Sequence, residues 1–293
     1  VIEKVLVIGA TGTLARPVVR RMISAGLSVR AFVRNVSKGE ALLPDEAELF
    51  EGRLEDIDSI ARGLHGMDAV YMNLASPYDP ETPFDPMRDG TANVIAAAKA
   101  GSVTRVATIT SAGVGDKAIA DWWPVGRKMH AEKIMRESGL PYTIFRPDWF
   151  CESLAMFNRD GTVVCPKLGD AKLRWLAGDD YGRQVTAALQ SVAAKNKVYV
   201  CRGPEALTIE EAMKRFIQAH DPNLKLQKAP LWVMGLAGMF SPKMLFMHGL
   251  MKFTKNHMAG DDGQEAWEEL YRPEMTIEDY VAYMHETGDV PSA

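Results

Sequence analysis

The run from Val5 to Val19, VLVIGATGTLARPVV, passes from an apolar strand through a glycine turn directly into an amphipathic stretch. This feature constrains the fold more than any other, because the same alternation then repeats. β-Branched apolar runs at Lys4–Ile8, Ser28–Val33, Ala47–Glu51, Ala69–Asn73, Arg105–Thr110 and Tyr142–Arg146 predict strands. Helical patterns at about Leu14–Ala25, Ile57–Leu64, Pro86–Ala100 and Val125–Glu137 lie between them. Strands alternating with helices form parallel βαβ units, and hence an α/β fold with a doubly wound parallel sheet. The strands are almost wholly apolar, as expected when helices cover both faces. In such a sheet a ligand sits at the carboxyl ends of the strands, near the point where strand order reverses.

After Pro147 the alternation fails. GDDYGRQVTAALQSVAA reads as a capped helix and KVYVC as a late strand. Thr208 with Glu211, and Thr276 with Asp279, have the spacing of helix-starting capping boxes. The expectation is a sheet domain over residues 1–150 and a smaller, mainly helical substrate lobe over 151–293, partly interleaved with the first. The segment from Pro230 to Lys255 is rich in Met, Leu, Phe and Gly, and Ser241-Pro242 splits it into two helical pieces. Methionine adapts to irregular surfaces, so the segment suits a lid or a pliable substrate wall. Core packing, a dimer face and membrane-surface docking are the alternatives, the last with only Lys243, Lys252 and Lys255 as basic residues.

With 38 acidic against 34 basic residues, the net charge of −4 argues against nucleic acid or an anionic membrane surface as the main partner. Apolar residues make up 47% of the chain, enough for a sizeable core. Cys151, Cys165 and Cys201 are too few and too irregularly spaced for a disulfide framework or a zinc site; they read as thiols in a reducing compartment, and no metal is expected. No basic segment leading into a removable apolar run precedes KVLVIGATG, and no run of ~18 apolar residues occurs. A cytoplasmic chain with no spanning segment is the expectation.

The glycine turn carries the first chemistry. Gly9 permits a tight turn, Gly12 lets backbone approach a pyrophosphate, and Ala15 leaves room for the helix to pack on the strand. Free amides at the helix start, around Thr11, Thr13 and Leu14, would face the phosphates. A structural βα turn is the alternative. An NAD site ends the second strand on an acid that holds the ribose 2′-hydroxyl. Here the strand runs out as RAFVRNVSKG, with Arg34 at the tip and Lys38 a turn later. A guanidinium fork and an ammonium suit a 2′-phosphate, so NADP(H) is the expected cofactor.

VIGATGTLARPVV, AFVRN, GMDAVYMNLASP, DGTANVIAAAKAGSVTRVATITSAG, KMHAEKIMRESGLPYTIFRP and GPEALTIEEA, in this order and spacing, resemble the NmrA-like, atypical short-chain dehydrogenases/reductases. The resemblance implies a Rossmann domain that binds NADP(H) and a smaller C-terminal substrate lobe. It also implies either a reductase or a regulator that senses the cofactor. Carried over residue by residue, it puts Gly9, Thr11, Gly12 and Ala15 on the pyrophosphate loop and Arg34 on the 2′-phosphate. Asn73, Leu74 and Ala75 fall along the ribose, Ser111 on a substrate carbonyl, and Lys128 on the nicotinamide ribose. Two departures stand out. Gly52-Arg53-Leu54 replaces a Gly-Asp-Leu whose Asp meets adenine, so that contact must be rebuilt or left to backbone. Four residues before Lys128, where the family's proton-donating tyrosine belongs, stands Pro124.

Three side chains are candidates to replace that tyrosine. Tyr78 follows the fourth strand, and a loop tyrosine packing under a lid is its alternative role. His130, two residues from Lys128, points to a different helix face. Lys128 itself could donate the proton if burial lowered its pKa. Trp122, Trp123 and Trp149 either line a pocket mouth or cap the core. Two functions follow. One is an NADPH-dependent reductase of an apolar or aromatic small molecule, with Lys128, Ser111 and Tyr78 as catalytic candidates. The other is a non-catalytic NADP(H) sensor acting through a protein partner. A sugar-nucleotide epimerase shares the core but relies on the missing tyrosine.

Overall fold

The computed structural model describes residues 2–114, 122–256 and 263–289. Its elements begin β1 (Lys4–Ile8), α1 (Ala15–Ser24), β2 (Ser28–Val33), α2 (Val36–Leu42), β3 (Glu48–Glu51), α3 (Ile57–Leu64) and β4 (Ala69–Met72). They continue through α4 (Thr91–Ala100), β5 (Arg105–Ile109), α5 (Trp123–Glu137), β6 (Tyr142–Pro147), α6 (Gly178–Gln190) and β7 (Lys197–Cys201). All seven strands pair in parallel, in the order β7-β6-β5-β4-β1-β2-β3. The order reverses between β1 and β4, so the loops leaving these two strands flank the crevice in which a doubly wound sheet holds its ligand.

By its contacts the chain divides into two units. The first holds residues up to 147, then 181–201 and 263–272. A single cut at 150 would therefore misplace most of α6, all of β7 and the segment Gly263–Arg272. One sheet face, with Leu6, Ile8, Val70, Met72, Val106 and Ile144, packs on Ile60 and Leu64 of α3, Val94 and Ala98 of α4, and Ala131 and Met135 of α5. Residues alternate along a strand, so Tyr71 points to the opposite face. There its hydroxyl meets that of Tyr181 on α6 at 3.0 Å. A Cβ on Gly182 would lie 3.0 Å from the Pro17 carbonyl oxygen, which shows how closely α6 crosses α1.

Two differences from the sequence expectation bear on the site. α2 was not expected, because VSKGEAL shows no apolar stripe. Its start is set locally by the Asn35 side chain, which accepts the Lys38 N–H at 2.9 Å. The helix expected over Pro86–Ala100 opens instead as a wide π-type turn, Pro86–Gly90, before α4 proper.

The second unit comprises 148–180, 202–256 and 273–289 among the described residues. It holds α7 (Ile209–His220), α8 (Leu231–Gly238), α9 (Pro242–Asn256) and α11 (Ile277–Thr287), while α10 (Gln264–Glu269) belongs to the first unit. Both expected capping boxes form, Thr208 with Glu211 and Thr276 with Asp279. Two small sheets accompany the helices. Thr162–Pro166 pairs in parallel with Lys225–Ala229 and antiparallel with Asn158–Arg159, and Lys172–Arg174 pairs antiparallel with Ala206–Thr208. Trp149 is 8% exposed and stacks on Phe157 in this unit's core, donating its indole N–H to Thr254. It caps a core, as the plainer of its two sequence readings has it. All three thiols are free and buried. No described helix is long and apolar enough to cross a membrane.

Candidate active site

Gly9 follows β1 at φ +77°, and a Cβ there would lie 2.2 Å from the Asn73 carbonyl oxygen. Only glycine fits this backbone. The closeness arises at the switch point itself, where the Asn73 N–H donates to the Ile8 carbonyl at 2.9 Å and lays the loop after β4 against the turn after β1. Gly12 N–H closes the turn on the Gly9 carbonyl at 2.9 Å. The amides of Thr11, Thr13 and Leu14 donate to nothing among the described residues. α1 has no acid in its first turn and no side-chain cap. Free N–H groups at the positive end of a helix form a cradle for an anion.

Beside this turn lies a cavity of about 310 Å³ lined by Thr11, Val33, Arg34, Asn35, Lys38 and Arg53. Arg34 comes from the end of β2, and the Asn35 cap sets Lys38 on the first turn of α2. Arg53 comes from the turn after β3, whose register puts Glu51 opposite Val33. Ser59 fixes that turn by accepting the Arg53 N–H and donating to its carbonyl, at 3.1 and 3.0 Å. No acid lines the cavity, and none of the three cations has an ion-pair partner among the described residues. Three like charges around one concavity repel each other, and a bound dianion offsets that repulsion. In sequence Arg53 reads only as the loss of an acid; its place beside Arg34 and Lys38 emerges once β3 pairs with β2. The signal was there, since the acid was replaced by a base.

The loop leaving β4 carries Asn73, buried Leu74 and exposed Ala75. Ser76 Oγ is buried without a hydrogen-bond partner among the described residues, while the Asn73 amide lies within reach of the Tyr71 hydroxyl. Such an unpartnered atom costs about 1–3 kcal/mol unless a ligand completes it. With the anion cradle and the cationic cavity, this orphan fits a dinucleotide laid across the switch point. Tyr78, further along the loop, is 41% exposed. The far end of the loop is pinned by a pair the sequence reading missed. Asp85, fully buried, meets Arg127 of α5 at 2.8 Å and also accepts the Met87 and Arg88 amides. Arg127 reaches on to the Pro80 carbonyl at 2.6 Å. The only clue in the sequence was an acid directly before Pro86, a helix-start pattern.

Ser111 follows β5. The amides of Thr110 and Ala112 on either side of it donate to the Phe145 and Pro147 carbonyls at 2.7 and 2.9 Å, which extends the pairing with β6 and fixes the serine's height at the sheet edge. α5 starts at Trp123, so Pro124 occupies the first turn, where no helical N–H is needed, and is buried there. Lys128 lies one turn on, and Glu132 one turn beyond it on the same face. Glu132 is already engaged. It accepts from Thr110 Oγ1 at 2.8 Å and from the Arg146 guanidinium at 2.9 and 2.6 Å, with Arg136 at 3.3 Å. Lys128 has no ion-pair partner among the described residues. Burial pushes its ammonium down to about 8, and the Glu132 charge only partly opposes this. His130 is exposed on another face of α5.

Residues 9–161, just over half of the chain, match the model of a family described as NAD(P)H-binding. A (4-alkanoyl-5-oxo-2,5-dihydrofuran-3-yl)methyl phosphate reductase from Streptomyces griseus is 30% identical over 210 residues, covering 71% of this chain and 70% of the relative. An NAD(P)H azoreductase from Xenophilus azovorans is 28% identical over 209 residues, covering 70% of this chain and 69% of its own. The triphenylmethane reductase of Citrobacter sp., solved with NADP(H), has the same fold, with a TM-score of 0.76 at 18% identity over 96% of this chain and 99% of that one. The chain belongs to the NAD(P)H-binding family of atypical short-chain dehydrogenases/reductases.

Proposed function

We propose that this protein is an NADPH-dependent reductase of an apolar or aromatic small molecule in which Lys128 is the proton donor. The observation that carries this reading is the state of Lys128. It is half-buried with its pKa lowered by burial, it has no ion-pair partner among the described residues, and Glu132, one turn along α5, is occupied by two arginines. A lysine so placed holds a proton it can release near neutral pH. Bound NADPH would supply the hydride. The Thr11, Thr13 and Leu14 amides would hold its pyrophosphate, and Arg34, Lys38 and Arg53 its 2′-phosphate. Asn73, Leu74 and Ala75 would line the ribose and Ser76 complete a polar contact beside them. The Ser111 hydroxyl would orient the acceptor, and Lys128 would deliver the proton to the atom left with the developing negative charge. Tyr78, exposed on the loop, would meet substrate on this reading and leave the proton transfer to Lys128. The azoreductase and the triphenylmethane reductase support an aromatic acceptor by analogy.

The test is NADPH oxidation against quinones, azo dyes and aryl ketones, with kcat/KM followed against pH. Activity should be full below pH 8 and fall as pH rises through about 8, as Lys128 loses its proton. Lys128→Met should lower kcat by about 10²–10⁴-fold. The second reading, a sensor of NADP(H), is favoured by Pro124, which has no proton to give. NADPH binding without turnover of any acceptor, unaffected by Lys128→Met, would favour the sensor.

A further inference from the structure

The α8–α9 hairpin carries an apolar surface that neither the cofactor nor the core uses. Trp232, Val233, Leu236, Met239 and Phe240 are 65, 42, 55, 74 and 89% exposed. Their spacing is i, i+1, i+4, i+7 and i+8, so they share one face of α8 and its last turn. The opposite face is closed by small residues. A Cβ on Gly238 would lie 3.0 Å from Leu245 Cα, and one on Gly235 would lie 3.3 Å from the His248 ring. α9 therefore packs on the glycine side of α8. Met247, Leu250 and Met251 of α9, with Leu231 and Met234 of α8, face the core of the second unit, leaving Trp232, Val233 and Leu236 of α8 outward.

The charge of the segment that carries this face says what covers it. Residues 222–260 contain no Asp or Glu, in a chain with 38 of them, and contain lysines at 225, 228, 243, 252 and 255. Lys243, Lys252 and Lys255 are exposed and have no ion-pair partner among the described residues. The net charge of −4 hides this local surplus. A second copy of the chain is a poor occupant, because a two-fold interface would set one lysine-bearing segment without acids against another. An anionic bilayer surface satisfies both features, taking Trp232 and Phe240 among its headgroups and acyl ends while the lysines meet the phosphates. We propose that the α8–α9 hairpin docks this protein reversibly on anionic membrane surfaces, lying in the interface and not spanning it.

The experiment is co-sedimentation of the full chain with phosphatidylcholine vesicles, with and without phosphatidylglycerol, at low and high salt. The wild type should bind the anionic vesicles, and salt should weaken the binding. Leu236→Glu with Phe240→Glu should abolish it. Reversing Lys243 and Lys252 to Glu should weaken it by at least about five-fold for each side chain. Unchanged circular dichroism and thermal unfolding show that the variants are folded. Failure to bind either vesicle would overturn the proposal, as would equal binding to neutral vesicles that lysine reversal leaves intact. A wild-type dimer that Leu236→Glu with Phe240→Glu converts to monomer, with no vesicle binding, would assign the face to a second copy instead.

Discussion

Replacing Lys128 by Met should stabilise the folded protein while destroying its turnover. An ordinary lysine titrates near 10.5, and burial lowers Lys128 to about 8. At about 1.4 kcal/mol per tenfold change in proton affinity, holding this ammonium costs the folded state up to about 3 kcal/mol near neutrality. Part of the side chain remains accessible, so a cost of about 1–3 kcal/mol is the working range. Methionine fills similar space without a charge. The sign follows from linkage. Below pH 8 folded and unfolded chains both carry the proton, and the full penalty applies. Between pH 8 and 10.5 the unfolded chain still binds a proton that the folded chain has released, so wild-type stability climbs. Above 10.5 the penalty is gone. The advantage of Lys128→Met should therefore be largest at pH 7 and vanish towards pH 10.5. Thermal unfolding of the two proteins side by side reads it, at roughly 2–4 °C for each kcal/mol, and the other titrations cancel in the difference. A variant no more stable than wild type at pH 7, or a difference that does not shrink with pH, would refute the desolvated lysine and with it the proposed proton donor.

Arg34→Ala and Arg53→Ala should each weaken NADPH binding by about 10–100-fold, the worth of a charge-assisted hydrogen bond, and leave NADH nearly unchanged; calorimetric titration with both nucleotides decides it. Gly9→Ala would drive a Cβ to 2.2 Å from the Asn73 carbonyl at a φ of +77°, so nucleotide binding should be lost even where circular dichroism reports a folded sheet. Arg127→Met leaves the Asp85 carboxylate buried and unpaired, which should cost about 3–5 kcal/mol in thermal unfolding; a loss below about 1 kcal/mol would mean that the loop after β4 is held elsewhere.

What the sequence made legible was local. The strand, turn and helix from Lys4 to Ser24 are continuous, so periodicity and two glycines were enough to read them. Arg34 and Lys38 were legible for the same reason, since both sit within a few residues of the end of β2. Arg53 was not, because it reaches their cavity only when β3 pairs beside β2 and sets Glu51 opposite Val33. The Asp85–Arg127 pair and the engagement of Glu132 by Arg146 join residues far apart in the chain, and no spacing rule connects them. The strand Thr162–Pro166 was unreadable because its partner, Lys225–Ala229, lies on the far side of α6 and α7. The exposed face of α8 was ambiguous in sequence because its residue types are those of a core. Only the packing of α9 on Gly235 and Gly238 determines which side stays outside.

Pro124 and Lys128 are best understood together. In a Tyr-x-x-x-Lys pair the lysine's charge favours the tyrosinate, so the lysine serves best fully protonated, with an ordinary pKa. Here the tyrosine is gone, and the helix tolerates proline in its place because α5 starts at Trp123 and the first turn needs no amide at that position. A lysine kept only to hold a ribose hydroxyl would gain nothing from desolvation, which weakens its charge and costs stability. Lys128 is desolvated nonetheless, and the carboxylate that could restore its pKa is drawn away by Arg146 and Arg136. Loss of a proton donor at one position and depression of a proton affinity one turn later on the same helix face are the two changes a transfer of that role requires. Their coincidence on α5 supports the proposed reductase, which would have moved its acid, over a cofactor site that has lost it.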